Sequence, residues 1–333
     1  MCSEGDDFLK GRFLKNFLKG LLFVIFFLGS MKAAVLLLYP SNIIIRTWKH
    51  FYTLEKGTVD LLVVGNSHAY SSFDPSVIAS ETGMNSYILA SNSQNIVQTY
   101  FNVKEALHYQ HPDVIILEAS LLDGNNNWRE GDSYDRDWKK EANIDGMRFG
   151  WTKLEAVMEQ YEKENWSYAL LPIARIHGNW EDITVIGSNL VFYMKDIWEY
   201  SSFHPSQTSM SAETMELYAQ ADYYPGEWMI SETNKLHFHK LAQMCRDEGI
   251  TLYVVMAPMY DVYIRSVNYE SQTNQVAELA ESEGVYYLDC NRRYDEIGLS
   301  AQDFEDAFNS YHHLNGSGAE KVTYFVTETL WGN

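Results

Sequence analysis

The sequence predicts an α/β protein on a doubly wound, mainly parallel five-stranded sheet, with one transmembrane helix ahead of it. Three observations carry this prediction. Five short runs rich in Val, Ile, Leu and Tyr recur along the chain, as strands covered on both faces require. Helical patterns separate them, and strand–helix alternation points to a parallel sheet wrapped by helices. A long apolar run near the N-terminus follows a basic flank.

The apolar run comes first. Residues 21–39 read LLFVIFFLGSMKAAVLLLY, about the length that crosses a bilayer. Lys32 is its one charge and can snorkel towards a face. Lys10, Arg12, Lys15 and Lys19 precede it and predict a cytoplasmic N-terminus, with everything after Pro40 outside the cytoplasm. A cleaved signal peptide would need small residues just past the apolar core, and Gly29-Ser30 is a poor site. The reading is a cytoplasmic stub over 1–19, a signal anchor over 20–40 in the cell membrane, and an extracytoplasmic domain over 41–333.

Charge agrees with that division. The chain carries −20, but residues 40–333 hold 20 basic against 42 acidic residues, a net −22. Such a surface repels phosphate backbones and argues against nucleic-acid binding. With 46% hydrophobic and 14% aromatic residues the chain is not disordered. Cys2, Cys245 and Cys290 are odd in number and show no paired spacing, so no disulfide framework is expected.

The five strands are placed at 60–64, 86–89, 114–118, 251–256 and 285–288, and helices at 96–108, 231–248, 271–283 and 319–330. Residues 122–224 break the rhythm. They are polar and Trp-rich, with Asn125, Asn126 and Asn127 in a row and helical stretches such as 153–164. They read as a helical insertion over the carboxyl ends of the strands, the edge where open α/β sheets bind ligands.

The first strand runs into Gly65-Asn66-Ser67-His68. A glycine there permits a tight turn that exposes the Ser67 hydroxyl, although the second glycine of the better known nucleophile elbow is missing. Alone, the same residues also describe a strand-end turn capped by Ser67. A nucleophilic serine needs a base. His312-His313-Leu314-Asn315 near the C-terminus offers two histidines, of which at most one faces Ser67. His237, His239 and Glu232 fall on a helix pattern with the two histidines on different sides, so no metal is expected there. No phosphate loop or dinucleotide fingerprint occurs, and no cofactor is expected.

Gly65-Asn66-Ser67-His68 and His313-Leu314-Asn315-x-x-Gly318-Ala319 together resemble the first and last blocks of SGNH (GDSL-type) hydrolases. Val59-Asp60, Phe73-Asp74-Pro75, Ala90-Ser91-Asn92-Ser93-Gln94, His111-Pro112-Asp113-Val114 and Arg175-x-His177-x-x-Trp180 narrow this. They resemble membrane-anchored SGNH-like proteins of Gram-positive bacteria, similar to the D-alanyl-lipoteichoic acid biosynthesis D proteins and alginate-type O-acetyltransferase accessory proteins.

The resemblance implies a flavodoxin-like three-layer SGNH fold, with Ser67 as nucleophile and His313 as general base. Asn92, Ser93, Gln94 and His68 would serve the oxyanion or substrate. The family's Asp, three residues before its His, is absent. Ser310 stands there for His313, and Asn309 for His312. A nearby acid such as Asp303, Glu305 or Asp306 would have to substitute, or a Ser–His dyad would work slowly, or the chain is not catalytic. The implied function is an extracytoplasmic O-acyltransferase or esterase acting on a cell-envelope glycan or polyol polymer beside a membrane-bound O-acyltransferase. The alternative is a non-catalytic glycan-binding or scaffold subunit of such a complex.

Overall fold

The Val-, Ile- and Leu-rich runs form five strands in the computed structural model, which describes residues 3–40, 42–122, 138–198, 200–220, 229–260, 265, 268–308 and 312–332. They are β1 (Leu61–Gly65), β2 (Ser86–Ala90), β3 (Val114–Glu118), β4 (Thr251–Met256) and β5 (Tyr286–Asp289). All pair in parallel, in the order β2-β1-β3-β4-β5. This is a doubly wound order whose switch point falls between β1 and β3. Every residue of β1 and β3 is buried, which only helices on both faces can achieve. Asn125, Asn126, Asn127, Asn309 and Ser310 lie outside the described residues.

The labelled helices are α1 (Ser3–Leu38), α2 (Ile43–Phe51), α3 (Ser67–Ser72), α4 (Pro75–Thr82), α5 (Ile96–Ala106), α6 (Trp138–Gly146), α7 (Trp151–Gln160), α8 (Ile183–Met194), α9 (Glu232–Glu248), α10 (Tyr269–Ser282) and α11 (Gly316–Trp331). Their ends follow from local chemistry. Asp74 caps α4 through the Ser76 N–H, Pro75 opens it, and left-handed Gly83 closes it. Asn95 and Gln98 form a reciprocal capping box on α5. Ser231 caps α9 by accepting from the Asn234 N–H, and left-handed Gly249 closes it. The helices pack in two groups. α3 and α4 lie against α11, while α5 lies against α7 and α9.

The chain divides into two compact units. One comprises residues 42–166 and 198–333 and contains the sheet. In it α2 buries Trp48 and Phe51 against α6. Gly146 is required there, because a Cβ at that position would fall 2.3 Å from the Trp48 ring. The other unit comprises residues 1–41 and 167–197. Its long apolar helix α1 is long enough to cross a membrane over Gly11–Leu38. The predicted insertion is therefore split. Residues 138–166 and 198–220 belong with the sheet, and residues 167–197 with α1. A short apolar helix such as α8 reads alike in a sequence whether it covers a sheet or packs on another helix.

Candidate active site

The site begins where β1 ends. Gly65 has φ 154°, and a Cβ on it would lie 2.8 Å from the Glu118 Cβ and 3.0 Å from the Ala69 Cβ. Only glycine lets β1 turn so closely past β3 into α3. Asn66 caps α3, accepting from the His68 N–H at 2.9 Å. Ser67 is the first residue of α3 and is largely buried.

Asn66 is itself held from below. Its Nδ2 donates to Ser120 Oγ at 2.8 Å, and Ser120 Oγ donates to Glu118 Oε2 at 2.6 Å. Glu118 Oε1 accepts the N–H groups of Ser120 at 3.1 Å and Ala257 at 3.3 Å. The carboxyl is fully buried among neutral donors, and burial pushes it up to about 7. A raised carboxyl adds no pH-dependent cost below about pH 4.5 and destabilises increasingly as pH rises through 7. Glu118→Gln mimics the neutral acid. It is expected to stabilise the protein by about 1–3 kcal/mol at pH 8 and little at pH 5. Thermal unfolding at the two pH values checks this; equal midpoints at pH 8 would mean that the carboxyl is solvated.

The C-terminal segment supplies the histidines. An antiparallel bridge joins Phe304 to Leu314, and Glu305 N donates to the His313 carbonyl at 2.9 Å. That pairing sets the Glu305 side chain beside His313. Glu305 Oε1 accepts the His313 backbone N–H at 3.0 Å and lies 3.3 Å from His313 Nδ1. The His313 ring lies 5.2 Å from the His68 ring and 6.4 Å from Tyr70, so it rests on the first turn of α3. Tyr70, three residues on from Ser67 in α3, donates its hydroxyl to Asn92 Oδ1 at 2.6 Å.

His312 turns elsewhere. Its backbone is left-handed at φ 57° and its ring lies 5.2 Å from Tyr218. Burial lowers its imidazole to about 4. His68 is buried, its Nδ1 meets no hydrogen-bond partner among the described residues, and burial above all, with the neighbouring His313 and His312, keeps it neutral. Among the described residues, the non-glycine residues with positive φ are Ser93 and His312. They stand in the two segments that the site draws on, and such strain clusters at functional sites.

The other named residues have different employment. Gln94 is fully buried, with its Nε2 donating to Thr99 and its Oε1 accepting from Ser91 and Asn102. It stiffens the loop after β2 rather than offering a donor to a substrate. Asp303 accepts from Ser300, Ser317 and Lys321. Asp306 accepts from Ser211 and Thr214. Neither carboxylate is thereby committed to a histidine. Arg175, His177 and Trp180 belong to the unit of α1, where Arg175 donates to the Tyr168 carbonyl. His237 donates to the Thr233 carbonyl, and His239 pairs with Glu283.

Tyr70 and the Asn66–Ser120–Glu118 chain were missed in the sequence. Tyr70 sits three residues after Ser67, on the same face of a helix, and that spacing was the available signal. Glu118 closes a buried strand, an unusual place for a carboxylate.

No protein-family model matches the chain, and no curated protein matches it in sequence.

Proposed function

We propose that the chain is an SGNH-type acyltransferase or ester hydrolase with Ser67 as nucleophile, His313 as general base and Glu305 as the orienting acid. The observation that carries this is the convergence of Glu305, His313 and the first turn of α3 at one end of β1. Glu305 occupies the role left vacant by the absent aspartate three residues before the histidine, and so supports catalysis over a scaffold role.

In this reading Ser67 Oγ attacks an acyl carbonyl while its proton passes to His313 Nε2. The new bond is Ser67 Oγ to the acyl carbon. The bond that breaks joins that carbon to the donor oxygen, which leaves with the proton returned by His313. An acceptor hydroxyl then repeats the cycle in reverse and frees Ser67. Glu305 stabilises the imidazolium formed in each half. Neutral His68 adds no competing positive charge beside it. A sugar or polyol hydroxyl of an envelope polymer as acceptor makes the reaction a transfer, and water makes it a hydrolysis.

The polymer, the extracytoplasmic placement and the membrane-bound O-acyltransferase partner follow from the family resemblance together with α1. A domain of net −22 argues that a polyanionic polymer would not be held by charge alone.

The test uses the full chain in detergent with an alkyl fluorophosphonate and a chromogenic acetyl ester. Peptide mass spectrometry is expected to place the phosphonate on Ser67, and Ser67→Ala is expected to lose both label and ester turnover. A wild-type chain that takes no label and turns over no ester defeats the catalytic reading.

A further inference from the structure

The α1 unit carries an apolar surface that its own fold does not cover. Along α1 the large apolar residues from Phe13 to Leu28 are exposed. From Met31 onward residues 167–197 partly cover the helix, and Tyr39 is buried. The covering is anchored by two asparagines. Asn189 Nδ2 donates to the carbonyls of Leu37 at 2.9 Å and Tyr39 at 2.8 Å, and Asn179 Nδ2 donates to that of Leu38 at 3.0 Å. These are carbonyls that a helix end leaves without intrahelical partners. Exposed to water they would need no protein donor, whereas in or beside lipid they do.

Helix α8 shows which side remains open. Asn189 and Phe192 face inward. Ile183, Leu190, Val191 and Met194 face outward, at the i, i+7, i+8 and i+11 spacing of one helix face. Ile183 is 80% exposed, Met194 79%, and the neighbouring Trp180 65%. At 1.5 Å per residue, a hydrocarbon layer of about 30 Å that starts at Leu21, just past Lys19, ends near Tyr39. The end of α1 that Asn179 and Asn189 clasp, at Leu37–Tyr39, then falls at the headgroup level. The twelve residues of α8 are too few to span but enough to lie in that plane. Tryptophan favours the same depth.

We propose that the outward stripe of α8, with Trp180, rests in the interfacial layer of the bilayer crossed by α1, so that the unit holds the membrane through two elements. The occupant is the phospholipid surface. This rests on reading α1 as a membrane anchor. The clasp by Asn179 and Asn189 fixes α8 to the end of that helix, next to the apolar face of α1 that its own unit leaves exposed.

The experiment uses the full chain with Cys2→Ser, since Cys245 and Cys290 are buried. Single cysteines replace Met194, Ile183, Ile25 or the exposed Glu248 and carry an environment-sensitive fluorophore. The protein is reconstituted in phosphatidylcholine–phosphatidylglycerol vesicles with and without doxyl-labelled lipid. Labels at 25, 183 and 194 are expected to be quenched several-fold more than the label at 248. For 183 and 194, shallow doxyl should quench more than deep doxyl. Quenching at 25 with none beyond the level of 248 at both 183 and 194 overturns the interfacial role and leaves the anchor standing. Absence of quenching at 25 as well overturns the anchor and this inference with it.

Discussion

Glu305→Gln lowers turnover of an acyl ester by about two to four orders of magnitude while the unfolding midpoint moves little. A single oxygen, Oε1, accepts the His313 backbone N–H and faces its Nδ1. The amide oxygen of glutamine can keep both contacts, so the local fold survives. What it lacks is the negative charge that, in the proposed mechanism, stabilises the imidazolium once Ser67 gives up its proton. An amide in place of the triad carboxylate costs about 10⁴ in a serine protease. The longer approach of Oε1 to Nδ1 here, 3.3 Å, allows the smaller end of the range. Asp303→Asn and Asp306→Asn provide the contrast. Their carboxylates serve Ser300, Ser317 and Lys321, and Ser211 and Thr214. They should lower stability and leave turnover within about threefold, an effect worth less than 1 kcal/mol. Steady-state turnover of the three variants, normalised to active sites titrated by the phosphonate, decides the matter. Equal losses in all three would remove Glu305 from its role.

Gly65→Ala destabilises the sheet-bearing unit by about 2–4 kcal/mol and silences the site. The new methyl would meet the Glu118 Cβ at 2.8 Å and the Ala69 Cβ at 3.0 Å. Neither is the far end of a flexible side chain. Glu118 is pinned by Ser120 and the Ala257 N–H, and the Ala69 Cβ moves only with the backbone of α3. The φ of 154° adds a backbone penalty that glycine alone escapes. Relief requires β1 and β3 to part or the first turn of α3 to swing, and either motion displaces the turn that carries Ser67 and His68, on which the His313 ring rests. Thermal unfolding followed by Trp fluorescence is the measurement. A midpoint within a degree or so of wild type would mean that the turn is looser than these distances imply.

The sheet was the most legible part of this molecule. All five strands lie within a residue of where apolar runs place them, and β3 and β4 coincide with 114–118 and 251–256. A strand buried on both faces has no alternative to a continuous apolar run, so composition alone marks it. The turn at Gly65 was legible for the related reason that a special backbone geometry demands a special residue. The acid beside His313 was less so. Spacing fixes a partner only along one element, and Glu305 reaches His313 across a bridge between two segments, eight residues back in the chain. Asp303 and Asp306 were equally near in sequence, and only the pairing of Phe304 with Leu314 separates them from Glu305. The Glu118 network was hidden because its members come from β1, β3 and the end of β4, which no local pattern connects. The division of the insertion was hidden too, since the residues of α8 that seek Leu37 and Tyr39 look no different from those that would seek a sheet.

The clasp on the end of α1 also sets an order of manufacture. Asn189 lies 150 residues beyond the Tyr39 carbonyl it satisfies. At about 5–20 residues per second, a ribosome needs on the order of 10 s to supply it. Throughout that interval α1 is complete while its last carbonyls await their donors. A water-soluble version that starts after residue 41 would never supply the carbonyls. Its Asn189 amide and Phe192 ring, both fully buried in the whole chain, would lose what covers them. Such a version would become soluble only by giving up residues 167–197 together with α1, because those two pieces of chain are one folding unit written in two places.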